Sequence, residues 1–218
     1  YCVGVTGPPG AGKSTLVDCL VRLIRADDQT VGVLAVEPTS AFSGCAVLGD
    51  RIRMKDHTLD DGVYIRSLAT RGDKGGLSRI AGAAVHLLDA FGMDTVIVES
   101  VGVGQTELDI MGITDTVVVA LVPEAGDAVQ ALKAGLIEIA DIVVVNKADR
   151  QGAEGLAAAV EGELRGRDNM GWWMPPVLLT RAHRALGLDE LLEAINDHRQ
   201  QAESTSNLEQ RRSERRRR

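Results

Sequence analysis

Short unbroken apolar runs alternate along this chain with longer stretches in which apolar residues recur every three or four positions. The runs are residues 1–6 (YCVGVT), 31–36 (VGVLAV), 62–68, 95–98 (TVIV), 116–122 (TVVVALV), 141–145 (DIVVV) and 177–180. Runs of this length without a polar alternation predict strands covered on both faces. Helical spacing falls between them, in residues 14–25 (Leu16, Leu20, Leu23, Ile24) and about 77–91 (Ile80, Ala84, Leu87, Leu88), then in 130–139, 154–164 and 188–198. Strand followed by helix, repeated, predicts an α/β fold: a mostly parallel twisted sheet flanked by helices. A chain of 218 residues with 44% hydrophobic content builds one such domain, here expected over residues 1–200. Residues 201–218 read as a charged C-terminal tail, the start of a helical extension or disordered. The stretch 165–176 reads as a connecting loop; its adjacent Trp172 and Trp173 suit a partner contact or packing over the sheet edge.

The loop after the first run carries chemistry. Gly7-Pro8-Pro9-Gly10-Ala11-Gly12-Lys13-Ser14 matches G-x-x-x-x-G-K-[ST], which joins a strand to a helix. Its glycines let successive N–H groups turn inward around phosphates with no Cβ in the way. The candidate nucleotide-binding residues here are Gly10, Ala11, Gly12, Lys13, Ser14 and Thr15. Lys13 is placed to reach the β- and γ-phosphates and the Ser14 hydroxyl to ligate Mg²⁺. The partial positive charge of the helix N-terminus adds to both. The fold class sharpens to a P-loop nucleotide-binding domain.

A second motif names the base. Asn146-Lys147-Ala148-Asp149 follows the run 141–145, at the strand end where open α/β sheets bind ligands. The Asp149 carboxylate can accept hydrogen bonds from the ring N–H and 2-amino group of guanine; adenine offers neither. Lys147 would lie along base and ribose, and Asn146 would brace neighbouring loops. Thr180-Arg181-Ala182 ends another strand, and Arg181 and Ala182 are candidates for a backbone N–H to the guanine carbonyl. A GTPase, regulatory or chaperone, is the expectation.

Between the two motifs, acidic residues end strands beside the phosphate loop. Glu37 and Glu99 are candidate Mg²⁺ positions with Ser14, and Asp50, in a glycine-bearing stretch, is a fourth. The plainer alternative for Glu37 and Asp50 is a helix cap or a solvated charge. Glu99-Ser100-Val101-Gly102 resembles the D-x-x-G element of GTPases with Glu for Asp, so Gly102 would offer its N–H to the γ-phosphate. Lys13, Glu99, Gly102 and Asp50 are the candidate catalytic residues. Val103 stands where small signalling GTPases place the glutamine that orients water, and Gln105 lies two residues on. Slow intrinsic hydrolysis follows. Arg71 is a further candidate phosphate contact, with a structural ion pair as its alternative.

Charge and cysteine content narrow the partners. The net charge is −7, but residues 210–218 (QRRSERRRR) hold six Arg against one Glu, leaving an acidic remainder of about −12. An acidic body argues against a nucleic-acid face. The basic tail could serve nucleic acid or membrane; a solvated helix start or a disordered end is the plainer reading. Three cysteines (Cys2, Cys19, Cys45) without C-x-x-C predict a reducing, cytoplasmic setting. Cys2 and Cys19 sit at apolar positions of a strand and a helix. The four histidines have no metal-ligand spacing, and neither a signal peptide nor a membrane-spanning run is visible.

Several segments carry a resemblance. Residues 7–16 (GPPGAGKSTL), 37–54 (EPTSAFSGCAVLGDRIRM), 65–77 (IRSLATRGDKGGL), 99–109 (ESVGVGQTELD), 123–141 (PEAGDAVQALKAGLIEIAD) and 146–149 resemble the MeaB/MMAA/ArgK family. These are P-loop GTPases of the SIMIBI class that chaperone cobalamin-dependent methylmalonyl-CoA mutase. The resemblance implies a SIMIBI-type G domain, GTP/GDP and Mg²⁺ as cofactors, and slow hydrolysis that gates cofactor loading and protection of the mutase. It implies a methylmalonyl-CoA mutase-like partner, a cobalamin adenosyltransferase, and a homodimer in the full-length protein; it implies neither nucleic acid nor membrane as partner. Residues 123–133 match a third switch, with Asp127, Gln130 and Lys133 its polar members. Departures are Glu37 for aspartate, Ala41 for proline, Cys45 for glycine, Glu124 and Ala128 for glycine and glutamate, and Arg181 for serine. Family members usually carry a helical N-terminal extension and a C-terminal dimerisation arm, so the chain reads as a GTPase-domain fragment. Two other classes compete. A metal-insertion GTPase would bring a histidine-rich stretch or a C-x-C-C-type motif, and a P-loop small-molecule kinase would bring an acceptor pocket and no guanine motif.

Overall fold

The computed structural model of the chain describes residues 1–37, 57, 59–69, 76–100, 109–124, 135–166 and 171–217. Among the described residues seven strands form one sheet: β1 Cys2–Thr6, β2 Val31–Glu37, β3 Val63–Ala69, β4 Thr95–Glu99, β5 Thr116–Leu121, β6 Ile142–Val145 and β7 Val177–Leu179. Their order is β3-β2-β4-β1-β5-β6-β7, and every pairing is parallel. All seven strand C-termini therefore open on one pole, with β1 at the centre. The helices among the described residues are α1 Lys13–Ala26, α2 Gly76–Ala90, α3 Ala153–Arg165, α4 Leu188–Ser204 and α5 Asn207–Arg217.

Period-two burial explains why the strands lack polar alternation. Val3, Val5, Val33, Ile97, Val118 and Ile142 pack beneath α1 and α4 on one face. Cys2, Leu34, Val98, Val119 and Val143 pack beneath α2 and α3 on the other. Each side chain thus meets a helix whichever way it points. Among the described side chains of α2 the buried ones are Ala81, Val85 and Leu88, while Ile80 and Leu87 of the expected apolar set are turned out, as is Phe91 just beyond the helix. The helix carries overlapping apolar stripes, and its docking on the sheet covers the one with Val85 and Leu88; Gly32 leaves room for Leu88, since a Cβ there would lie 2.7 Å from Leu88 Cδ1. Of the helix expected over 130–139, residues 130–134 lie outside the described residues, and Leu136–Ile139 forms a 3-10 turn.

The opposite pole holds a buried polar cluster. Asp115 and Asp141, just ahead of β5 and β6, are both buried. Asp115 accepts the Cys2 amide at 3.0 Å and Asp141 the Val117 amide at 2.8 Å. The arginines left to solvent by the sequence pattern cover them. In α5, Arg212 donates to Asp115 at 3.0 and 2.6 Å and Arg215 at 2.5 Å, while Arg211 donates to Asp141 at 2.8 Å. Burial pushes the Asp115 carboxyl up, but hydrogen bonds from Arg212 and Arg215 outweigh it and hold the group at about 2. Asp141 is likewise lowered, against burial, by hydrogen bonds from His198 and Arg211. His198, fully buried on α4, lies 2.9 Å from Thr116 Oγ1 through Nδ1 and 3.3 Å from Asp141 through Nε2. Trp172 and Trp173 pack on its ring at 5.1 and 5.0 Å, and Trp173 Nε1 donates to the Asp141 carbonyl at 2.7 Å. The indole pair is therefore packing, the plainer of its two readings. Among the described residues no helix is long and apolar enough to cross a membrane.

Candidate functional site

β1 delivers the glycine-rich loop to the middle of the open pole, and α1 begins at Lys13 directly after it. Gly7, Gly10 and Gly12 take φ of 139°, 81° and 85°, conformations that a Cβ opposes. At Gly12 a Cβ would also run into the Asn146 side-chain amide, and at Gly7 into the Ala120 carbonyl. The loop is thus shaped both by its own backbone and by its neighbours. Lys13 is buried; its Nζ donates to the Gly7 and Pro8 carbonyls at 2.9 and 3.1 Å. The ammonium folds back over the loop that it is expected to serve.

The parallel sheet brings Glu99 alongside. β4 is the neighbour of β1, with Val5 level with Glu99. The Ser14 hydroxyl donates to Glu99 Oε1 at 2.8 Å, and both side chains are buried. Serine hydroxyl and carboxylate are the hard oxygen donors that Mg²⁺ prefers, so the described residues fit that ion. Glu37 ends β2, two strands from β1; its side chain lies outside what is described. Asp50, Arg71, Gly102, Val103 and Gln105 lie outside the described residues, as do Ala41, Cys45, Asp127, Ala128, Gln130 and Lys133.

Asn146, at the end of β6, joins three elements. Its Nδ2 donates to the Ala11 carbonyl at 2.9 Å, while its Oδ1 accepts from Thr180 Oγ1 and the Ala182 amide, each at 3.1 Å. The phosphate loop, the guanine motif and the 180–182 loop thus meet through one buried side chain. Next to it, Lys147 holds φ at 56°, an unfavourable conformation for a residue with a Cβ and one that clusters at functional sites. The turn it makes lets the Ala148 amide donate to the Thr180 carbonyl at 2.9 Å and leaves Asp149 exposed on the rim. The expected amides for a guanine carbonyl are already engaged. Arg181 N–H donates to Leu186 at 3.0 Å and Ala182 N–H to Asn146, so a bound base would compete with Asn146 for the Ala182 amide.

Other contacts were invisible in the sequence. His57 meets Asp18 of α1, and Arg25 meets Asp60. Arg150, directly after the 146–149 motif, pairs with Glu124, which follows β5 by three residues. Asp18, Arg22 and Arg25 at i, i+4 and i+7 marked a polar stripe on α1, but nothing local named its partners. Cys19 Sγ lies 3.3 Å from the Ala182 carbonyl, a direct tie between α1 and the 180–182 loop.

Comparison with known proteins adds to this geometry. The family model described as methylmalonyl Co-A mutase-associated GTPase MeaB matches residues 1–218. A putative GTPase of Pyrococcus horikoshii is 50% identical over 216 residues, 97% of this chain and 68% of its own length. The mitochondrial methylmalonic aciduria type A homolog of Mus musculus is 36% identical over 216 residues, 95% of this chain and 51% of its own. Among solved structures, one described as LAO/AO transport system kinase superposes with a TM-score of 0.79 at 30% identity, covering 99% of this chain and 64% of that one. The chain spans 51–68% of the length of these proteins.

Proposed function

This chain belongs to the MeaB family of P-loop GTPases, and from that premise we propose that it is a GTP-hydrolysing chaperone of an adenosylcobalamin-dependent acyl-CoA mutase such as methylmalonyl-CoA mutase. Its nucleotide state would gate loading and protection of the mutase cofactor. The observation that supports the reading most is the Asn146 bridge, which joins the glycine-rich loop of residues 7–14 to the 146–149 segment and the 180–182 loop. The family description, which names the mutase, supports the choice of partner. A homodimer of the full-length protein, a cobalamin adenosyltransferase as further partner and a cytoplasmic location belong to the same proposal.

The residues divide the work. Asp149 accepts from the guanine edge, and Lys147 lies along base and ribose. The amides of Gly10 to Thr15 face the phosphates, and Lys13 leaves the Gly7 and Pro8 carbonyls for the β- and γ-phosphate oxygens. Ser14 and Glu99, with Glu37 and Asp50, would hold Mg²⁺, which neutralises charge on the β- and γ-oxygens when bound. Gly102 N–H stabilises the γ-phosphate. Val103 cannot orient water, so turnover by the isolated chain is slow until a partner completes the site.

Lys13→Ala is expected to lower single-turnover GTP hydrolysis on the order of a hundredfold, because a charge aimed at the transferring phosphoryl group is lost. The variant also loses the bonds to the Gly7 and Pro8 carbonyls, so thermal melting without nucleotide should fall somewhat, and the rate is compared under conditions where both proteins are folded. The partner is tested by titrating methylmalonyl-CoA mutase into the chain with GDP or a non-hydrolysable GTP analogue. Nucleotide-dependent association and faster phosphate release without a phosphoryl acceptor support the chaperone. Transfer of phosphate to a small molecule would instead establish the kinase reading that the name of the superposed structure suggests.

A further inference from the structure

A pair of buried hydroxyls ties together the two strand ends that carry the phosphate loop and Glu99. Ser100 Oγ donates to Thr6 Oγ1 at 2.8 Å, and the two residues are only 3% and 0% exposed. Thr6 directly precedes Gly7, where the loop begins, and Ser100 directly follows Glu99. The backbone ladder between β1 and β4 ends at this level. Val5 is level with Glu99, and the Ser100 amide donates to the Val5 carbonyl at 3.0 Å. The hydroxyl bond joins the strands one residue beyond that pair.

Strand alternation sets the directions. Val3 and Val5 of β1 and Ile97 of β4 face α1 and α4, whereas Cys2 of β1 and Val96 and Val98 of β4 face α2 and α3. Alternation therefore aims Glu99 at α1, where it meets Ser14, and turns Thr6 and Ser100 to the opposite face. That face is apolar: Thr6 stands level with Val119 of β5, which lies in the core cluster there. Two hydroxyls in such a place add little net stability. A buried hydrogen bond contributes about 1 kcal/mol, and an apolar pair of the same shape does nearly as well. What the pair adds is alignment, because a hydrogen bond fixes a direction and a length that an apolar contact leaves loose.

We propose that Thr6 and Ser100 are positioning residues for the metal site: their bond holds the end of β4 against the end of β1, and with it Glu99 against Ser14. The inference rests on the reading of Ser14 and Glu99 as Mg²⁺ residues. The two hydroxyls act through the backbone each shares with its neighbour, Gly7 on one side and Glu99 on the other. Ser14 follows the β1 end because Lys13 closes the loop between them on the Gly7 and Pro8 carbonyls. Mg²⁺ demands near-ideal octahedral geometry at short distance. A site that draws its oxygens from the start of α1 and the end of β4 is therefore only as good as the alignment of those two ends.

The test compares wild type with Thr6→Val/Ser100→Ala, Thr6→Ser, Thr116→Val and Glu99→Gln. GDP affinity is measured by calorimetry with and without Mg²⁺, GTP hydrolysis over a Mg²⁺ series, and thermal melting for each protein. The double variant should need about tenfold more Mg²⁺ for half-maximal hydrolysis and lose most of the gain in GDP affinity that Mg²⁺ brings, the scale on which groups behind metal ligands act. Without Mg²⁺ its GDP affinity should stay within about twofold of wild type, since the contacts to base and phosphate are untouched. Its melting should lie close to wild type, because both partners leave together. Thr6→Ser keeps the hydroxyl and should keep the wild-type Mg²⁺ requirement. Thr116→Val removes a buried hydroxyl bonded to His198 at the opposite pole; it should melt lower with the Mg²⁺ requirement unchanged. An unchanged Mg²⁺ requirement in the folded double variant overturns the proposal. So does an equal loss of GDP affinity with and without Mg²⁺, or a Thr116→Val variant whose Mg²⁺ requirement rises as much. Should Glu99→Gln keep the wild-type Mg²⁺ requirement, the reading of the metal site fails first and takes this inference with it.

Discussion

Asp149→Asn is expected to convert a guanine site into a xanthine site. Guanine presents two donors, N1–H and the 2-amino group, to a carboxylate that accepts both. Asparagine keeps one acceptor and puts an amide donor opposite the 2-amino group. Xanthine has N1–H and a 2-oxo acceptor, which that amide matches. Loss of a charge-assisted bond plus an opposed pair of donors costs about 3–4 kcal/mol, or on the order of 10²–10³ in GTP affinity. Sites with fully buried polar groups reject the wrong ligand by up to about 10⁴–10⁵. Here Asp149 lies exposed on the rim before nucleotide arrives, so water compensates part of the mismatch and the lower range applies. Calorimetry with GTP, XTP and ATP checks it. The bonds that shape the motif, Ala148 to Thr180 and Asn146 to Ala11, do not involve the 149 side chain, so melting should not move. Wild type holding ATP as tightly as GTP would remove the basis of the assignment.

The second large effect is on stability. Arg212→Met with Arg215→Met should destabilise the chain by about 2–4 kcal/mol at neutral pH, because a buried carboxylate that has lost its cations is costly. The estimate sits below that for an enclosed pair because Arg212 is 44% exposed and water screens it. The pH dependence has a definite sign. The Asp115 carboxyl is depressed from 3.8 to about 2, so its contribution is fully present above pH 3.8 and disappears as pH falls toward 2. The shift corresponds to about 2 kcal/mol. Urea denaturation at pH 7 and again near pH 2 should therefore show a gap between wild type and variant that narrows in acid. A gap under about 0.5 kcal/mol at pH 7, the level of ordinary surface substitutions, would mean that α5 is an ornament on the sheet.

Much of the fold was legible. Seven strands were expected and seven are described, because strands buried on both faces announce themselves as apolar runs. The register of α2 was not legible. Two apolar stripes overlap there, and only the way the helix docks on the sheet decides that Val85 and Leu88 are covered while Ile80 and Leu87 are not. The role of the tail was not legible either. Arg211, Arg212 and Arg215 look like solvated charge until Asp115 and Asp141, far back in the chain, come underneath them. Asn146 was expected to brace neighbouring loops, and it does so with both ends of its side chain.

By itself the sequence determined the chemistry that is local: a loop whose glycines free its amides, a lysine and serine at a helix start, and a carboxylate motif after a strand. Local motifs suffice there because the backbone within a few residues sets the geometry. Only the tertiary structure decided which distant groups share a site. Ser14 meets Glu99 because β1 and β4 are neighbours in the sheet. His57 meets Asp18, and α5 meets the base of β5 and β6, through contacts that no spacing along the chain encodes. The reason is physical: propensity and periodicity act over a few residues, whereas pairing between distant residues depends on strand order and helix docking.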